Sequence, residues 1–393
     1  MSDPTLMIVA GEVSGDIHAG NMLRELQVVC PDVQAFGVGG ERLAANGLTA
    51  VASSEELSHM GLVEVVRELP RIRRLMRRLV GEARKRRPAL AVLVDSPDFN
   101  LRLATHLRKL GIPVVLFVSP QLWAWRRWRV RKVRRLSREV LCILPFEVPF
   151  YQKQGVPARY VGHPLVDEIA RADLLDQQRM PRDRKLGLLP GSRAMEVRQL
   201  LPVMLEAARK LSPETFDELI LVEAPGMEGE VDKVLDAAVS DSRLRRVRGE
   251  GRRRDLLTCT MAWTASGTAT LECALLGVPM VVGYRLQSLS YALARILVRV
   301  PHVALVNLIS GSRVVPELLQ ADWEPGSLAS VTRRLLDHGI DAQRDALEVV
   351  RERLGGPGAS RRAAEAIAEH LPSPNGRIPR LEVRWAERRT KSP

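Results

Sequence analysis

The feature that most limits how this chain can fold is a rhythm: short apolar runs, most of them separated by ten or more residues of helical pattern. In the first half the runs fall at residues 6–10, 34–39, 89–95, 113–119, 139–145 and 159–162. A polar, charged segment follows Pro164, and the rhythm restarts with runs at 185–191, 218–225, 261–266 and 278–284. Near-continuous apolar strands alternating with helices predict parallel sheets covered by helices. The break predicts two Rossmann-like α/β domains facing across a cleft, at residues 1–165 and 184–345, followed by a helix and a basic tail at 346–393. Ligands of such sheets bind beyond the carboxyl ends of the strands, so the loops there hold the candidate chemistry.

Charge is the compositional outlier. The 393 residues carry a formal net charge of +13, which favours anionic partners such as phosphates, nucleic acid or an acidic membrane surface. The four cysteines are far apart and in apolar surroundings, which points to buried thiols rather than a disulfide framework or a zinc site. No secretory pattern follows Met1 and no apolar run reaches the length of a transmembrane helix, so any membrane contact is expected to be peripheral.

Two loops of the second half resemble anion cradles. In "LLPGSRAMEV", Gly191 permits close backbone approach, Ser192 is placed to cap a helix and Arg193 adds a cationic fork. In "TASGTATLECALLGVP", Ser266 and Gly267 form a turn, Thr268 is placed as a cap and Glu272 follows four residues later. Each loop alone reads equally as a capped helix; the pair favours a diphosphate, with Glu272 as an acceptor for ribose hydroxyls. Walker A, HExxH and GxSxG patterns are missing, as is an Asp-x-Asp pair for a divalent ion.

In the first half, "VDSPDFN" sets Asp95, Asp98 and Asn100 at a strand end, as a candidate general base or as an Asx-turn. "VSPQLWAWR" brings Trp123, Trp125 and Arg126, either lining a cleft or packing in a core. His163 in "VGHP" is placed to bind a phosphate or to cap the domain junction. The opening loop, "AGEVSGD", looks like a nucleotide turn, but it lacks the G-x-G-x-x-G spacing and its carboxylates, Glu12 and Asp16, would repel a diphosphate.

Two helical stretches are strongly basic. Residues 70–88 place Ile72, Leu75 and Met76 among Arg73, Arg77 and other arginines, preceded by Leu62, Val66 and Leu69. Such a pattern serves either as a core stripe with a solvated face or as a membrane contact. A second stretch, "RRWRVRKVRRLSRE", is another candidate for anionic lipid. No nucleic-acid-binding motif accompanies either.

Taken in order, "VAGEVSGD", "MGLVEV", "DSPDFN", "SPQLWAWR", "LPFE", "VGHP", "LLPGSR", "SGTATLE" and "VVGYR" closely resemble the lipid-A-disaccharide synthases, over most of the chain. The resemblance implies a GT-B glycosyltransferase that transfers 2,3-diacylglucosamine from its UDP derivative to the 6-hydroxyl of 2,3-diacylglucosamine 1-phosphate (lipid X). The β-1,6 disaccharide forms with inversion, UDP leaves, and neither a metal nor another cofactor is required. It implies that Gly191, Ser192, Arg193, Ser266, Gly267, Thr268, Glu272 and Asn307 hold the donor, and that Asp98 is the base. Gly11, Glu12, Ser14, Asp16, Asn100, Trp125, Arg126 and His163 then face the sugars. It implies work on the anionic cytoplasmic face of the inner membrane, touched by Leu62, Val66, Leu69, Ile72, Leu75, Met76, Arg73 and Arg77, and it admits a homodimer through the C-terminal region. The rival readings are a UDP-sugar 2-epimerase of the same fold and a non-catalytic protein that binds anionic membrane or nucleic acid.

Overall fold

The computed structural model describes residues 4–58, 65–175, 183–249, 251–285 and 300–372. Its first sheet comprises β1 (Thr5–Ala10), β2 (Gln34–Gly39), β3 (Thr49–Ser53), β4 (Leu90–Val94), β5 (Val114–Phe117), β6 (Glu139–Cys142) and β7 (Ala158–Tyr160), in the order β3-β2-β1-β4-β5-β6-β7. Pairing from β3 across to β6 is parallel. Each connection is a crossover, and the helices are α1 (Val13–Val29), α2 (Glu41–Ala45), α3 (Glu55–Ser58), α4 (Val65–Arg86), α5 (Pro97–Lys109), α6 (Val130–Leu136), α7 (Glu147–Gln152) and α8 (Pro164–Arg171).

The second sheet is parallel in every pair and ordered β10-β9-β8-β11-β12-β13. Its strands are β8 (Asp183–Leu189), β9 (Glu218–Val222), β10 (Leu244–Val247), β11 (Cys259–Ala265), β12 (Met280–Tyr284) and β13 (Glu317–Leu319). Around them lie α9 (Ala194–Arg209), α10 (Glu228–Asp236), α11 (Arg252–Leu257), α12 (Thr268–Leu275), α13 (Leu305–Ser310), α14 (Pro325–His338), α15 (Ile340–Leu354) and α16 (Ala359–Ala368). The expected fold class, two Rossmann-like parallel-sheet domains, is the one found.

Burial follows the pleat. Successive residues of β9 split between two clusters: Ile220 and Val222 join Leu271, Leu275 and Leu347 on one face, and Leu219 and Leu221 join Leu201, Met204 and Leu328 on the other. A sheet covered on both faces needs apolar residues at every position, hence the unbroken runs in the sequence. The three strands without such a run (β3, β10 and β13) are all at sheet edges. In β10, Arg245 and Arg246 take the place of apolar residues and pair with Glu218 and Glu223.

Compactness divides the chain differently from the strand rhythm. Residues 1–120, 132–141 and 360–393 form one unit; 121–131 and 142–359 form the other. The second unit thus holds Trp123, Leu144, Leu165 and Ile169, packed in one cluster with the α12 and α15 side chains. The chain re-enters the first unit at Ser360, where the buried His370 Nε2 lies 2.9 Å from Glu139 Oε2 of β6.

Candidate active site

Each sheet reverses strand order once at its centre, between β1 and β4 in the first and between β8 and β11 in the second. Loops leave such a switch point in opposite directions and open a crevice at the strand ends. Ala10 pairs with Val94 in register, so the 11–16 loop and the 95–100 turn emerge side by side. Thr264 pairs with Leu189, which brings the 190–193 turn next to Ser266.

At the first crevice the backbone is unusual. Asp95 (φ 53°) and Ser96 (φ 41°) are consecutive left-handed residues, and Val118 just past β5 has φ 61°. For side chains with a Cβ this costs of order 1–2 kcal/mol per residue, so neighbouring contacts must hold the turn. Asn100, 1% exposed, donates from Nδ2 to the carbonyls of Val94 (3.0 Å) and Asp95 (2.7 Å). Asp95 Oδ1 accepts the Ser96 amide at 2.8 Å. Gly11 leaves room for Ser96: a Cβ at that position would stand 2.4 Å from Ser96 Oγ. The turn delivers Pro97 as the first residue of α5 and Asp98 as the second, exposed. The two aspartates, equivalent by sequence, therefore separate: Asp95 maintains the turn and Asp98 projects from it.

Other residues expected at this crevice have structural partners. Asp16 is 5% exposed, and its carboxylate accepts the amides of Gly40 (2.6 Å), Arg42 (2.9 Å) and Leu43 (3.2 Å), anchoring the start of α2 instead of facing a sugar. Asn100 likewise serves the turn. Glu12, at the N-cap of α1, and Ser14 are exposed. His163 caps α8, its Nδ1 accepting the Leu165 amide at 3.2 Å, a role the sequence reading did not name. In the second unit Trp123 is buried, with Nε1 donating to Glu147 Oε1 at 3.0 Å. Trp125 is 38% exposed beneath the Arg126 guanidinium, 4.0 Å from its ring centre, and Trp128 is 65% exposed.

At the second crevice Gly191 has φ 114° and Arg193, not Ser192, is the N-cap of α9. Neither residue caps with its side chain; Glu196 reaches back instead, accepting the Ser192 amide at 3.0 Å and pairing with Arg193 at 3.2 Å. Gly267, not Thr268, is the N-cap of α12, and Thr268 is exposed as its first residue. Ser266 donates from Oγ to the Val303 carbonyl (2.9 Å) and from its amide to Gly283 (3.0 Å).

Glu272 and Asn307 depart most from expectation. Glu272 is 7% exposed and bonds Arg253 Nε at 2.6 Å; Arg253 also binds Glu168 of α8 at 2.6 Å. Burial opposes the Arg253 charge, but the two carboxylates outweigh it and raise its pKa. Asn307 is fully buried and fully used: Nδ2 donates to Val315 O (3.0 Å) and Glu317 Oε1 (2.8 Å), while Oδ1 accepts the amides of Val314 (2.8 Å) and Val315 (2.9 Å). It closes the 314–317 loop rather than presenting an amide to a ligand. Sequence reasoning passed over Glu196 and Tyr284. Tyr284 ends β12, its phenol pKa raised by burial and then by the Glu196 charge, with Arg193 opposing. The signal for Glu196 was its place three residues past the N-cap, where a glutamate commonly folds back.

Of the surface expected to meet membrane, Leu62 lies outside the described residues, as do the side chains of Val66 and Leu69. Leu75, 2% exposed, is a core residue in a stripe with Leu79 and Ala83. Ile72 and Met76 are half-buried, and Arg73 and Arg77 are exposed. No helix among the described residues is long and apolar enough to cross a membrane.

The profile of the Lipid-A-disaccharide synthetase family matches residues 6–368. The Lipid-A-disaccharide synthase of Anaeromyxobacter dehalogenans (strain 2CP-1) is 46% identical over 374 residues, covering 92% of this chain and 96% of that protein. The chain belongs to the lipid-A-disaccharide synthase family. It is therefore a glycosyltransferase of lipid A biosynthesis. Among solved structures, a UDP-GlcNAc 2-epimerase from Neisseria meningitidis bound to UDP-GlcNAc superposes with a TM-score of 0.64 at 13% identity, covering 93% of this chain and all of that one. The glycotransferase of kitacinnamycin gives 0.64 at 16%, covering 94% and 99%. At such identities the likeness concerns the fold alone.

Proposed function

We propose that the second crevice binds the UDP end of UDP-2,3-diacylglucosamine and that Asp98 of the first activates lipid X. The observation that carries this reading is the 190–193 turn: a glycine turn, a helix N-terminus and an arginine gathered at the switch point of a family member's second sheet. Asp98 takes the proton from the acceptor 6-hydroxyl. The oxygen attacks the anomeric carbon opposite UDP; the new C–O bond forms as the bond to the β-phosphate breaks, and its electron pair leaves on UDP. The configuration inverts. Arg193, the amides of residues 191–193 and the first turn of α12 stabilise the departing diphosphate, which lets the reaction run without a metal. Glu272 and Asn307 support the crevice wall from behind.

The deciding assay supplies both lipid substrates and follows UDP release and disaccharide formation; failure to form either refutes the proposal. Asp98→Ala is expected to abolish turnover while UDP still binds. Arg193→Ala is expected to lower kcat about a hundredfold or more, the scale for losing one preorganised donor to developing charge.

A second reading, a UDP-sugar 2-epimerase, converts a UDP-sugar with no acceptor; the likeness to such an enzyme concerns the fold alone. Release of the 2-epimer from UDP-GlcNAc would favour it. The basic surface around Ile72 and Met76 favours the lipid reaction, because four acyl chains must be drawn from a bilayer. Trp128 and Trp125, with exposed Arg127 and Arg131, offer a further interfacial surface.

A further inference from the structure

Glu196 folds back into the very turn assigned above to the diphosphate. Its Oε2 accepts the Ser192 amide at 3.0 Å and its Oε1 faces Arg193 Nη1 at 3.2 Å. The fit is close: a Cβ on Gly191 would stand 2.3 Å from Glu196 Oε2. The Glu196 side chain is only 17% exposed, whereas that of Arg193 is 81% exposed. The carboxylate is thus tucked against the backbone while the arginine reaches over it from solvent. One backbone N–H and one guanidinium are the groups an incoming phosphate oxygen would use.

We infer that Glu196 is an internal stand-in for the donor phosphate and sets how tightly the leaving UDP is held. This rests on the 190–193 turn being the diphosphate site. A carboxylate and a diphosphate repel one another and compete for the same two donors, so UDP binds as Glu196 turns away. Return of Glu196 favours release of UDP after transfer. With Glu196 in place, the Ser192 amide and the guanidinium remain satisfied, and Arg193 stays over the turn. The plain alternative is a helix cap, in which a glutamate at the third helical position serves only as a hydrogen-bond acceptor. Glutamine fills that role without the charge, which separates the two readings.

The test is calorimetric titration of UDP, and separately of uridine, into the full chain and three variants. Glu196→Gln is expected to bind UDP at least threefold more tightly than the parent, with uridine binding unchanged; Glu196→Ala, which removes charge and cap together, should also bind UDP more tightly. UDP binding by Glu196→Gln that is equal or weaker overturns the inference, as does an equal gain for uridine, which carries no phosphate. If Glu196→Gln fails to fold, Glu196→Ala decides by the same criteria. Arg193→Ala should weaken UDP at least tenfold and spare uridine. Parent-like UDP binding by Arg193→Ala would instead refute the diphosphate reading, whatever Glu196 does.

Discussion

Asn307 shows how much a buried amide can organise. One of its four hydrogen bonds goes to Glu317, whose carboxylate also accepts the amides of Val303 and Ala304. The Val303 carbonyl in turn accepts the Ser266 hydroxyl, which links Asn307 to the Ser266 turn through Glu317 and backbone. Replacing Asn307 with alanine strands the Val315 amide and takes a donor from the Val315 carbonyl, while the Val314 amide keeps its bond to the Ser312 carbonyl. At about 1–3 kcal/mol for each orphaned group, a loss of roughly 3 kcal/mol is expected. Thermal denaturation should register a fall of about 6–12 °C for a domain of this size. A variant with parent-like melting but weakened UDP binding would show instead that Asn307 touches the donor. Sequence reading expected Asn307 to face the donor and could not see that its hydrogen-bonding capacity is used internally.

At the scale of elements, ion pairs substitute for apolar packing at one edge of the second sheet. Glu223, 2% exposed at the end of β9, pairs with both Arg246 and Arg248, and Asp241 pairs with Arg243 at 2.8 Å. Burial would raise the Glu223 pKa, but the two guanidinia outweigh it and hold it below the usual carboxylate value; the bond from Arg243 lowers that of Asp241. Both folded pKa values are depressed, so the unfolded chain binds more protons in acid. Their stabilisation is complete above the unfolded pKa of about 4 and is lost as pH falls through the folded values. Melting temperature should therefore hold from neutral pH to about pH 5 and fall steeply below about pH 4. Replacing Arg246 and Arg248 together by Ala should lower stability near neutral pH and flatten that acid dependence; an unchanged profile would refute the assignment. The same pairs explain why β10 was invisible in the sequence: its two central residues, Arg245 and Arg246, are charged, with carboxylate partners supplied by other elements.

For the molecule as a whole, the net charge of +13 sets the expected behaviour at a membrane. Binding to anionic vesicles in a flotation assay should exceed binding to neutral ones and fall with salt, since charge attraction is screened over about 8 Å at physiological ionic strength. Replacing exposed Arg73 and Arg77 by serine should weaken binding, and Trp128→Ser should do so with little effect on stability, because that ring is mostly in solvent. Leu75→Ser, by contrast, should destabilise the fold, since Leu75 is buried. Full activity in EDTA is expected if Arg193 and the helix N-termini neutralise the leaving group; a strict metal requirement would contradict the mechanism.

What the sequence alone determined was the repeating strand-and-helix order and the loops that leave strand ends, because backbone periodicity and sustained burial are written locally. Its family motifs carried the fold class and the glycosyl-transfer chemistry. Tertiary structure decided the division of labour within those loops. Asp95 and Asp98 are alike as letters, but only three-dimensional placement turns one into a turn support and exposes the other. Leu75 belongs to a stripe that suits either core or membrane until the neighbouring elements bury it. Asp16, Asn100, His163, Glu272 and Asn307 are polar groups whose partners lie on other turns, helices or strands. A sequence identifies a donor or an acceptor; which group satisfies it depends on distances set by the folded chain.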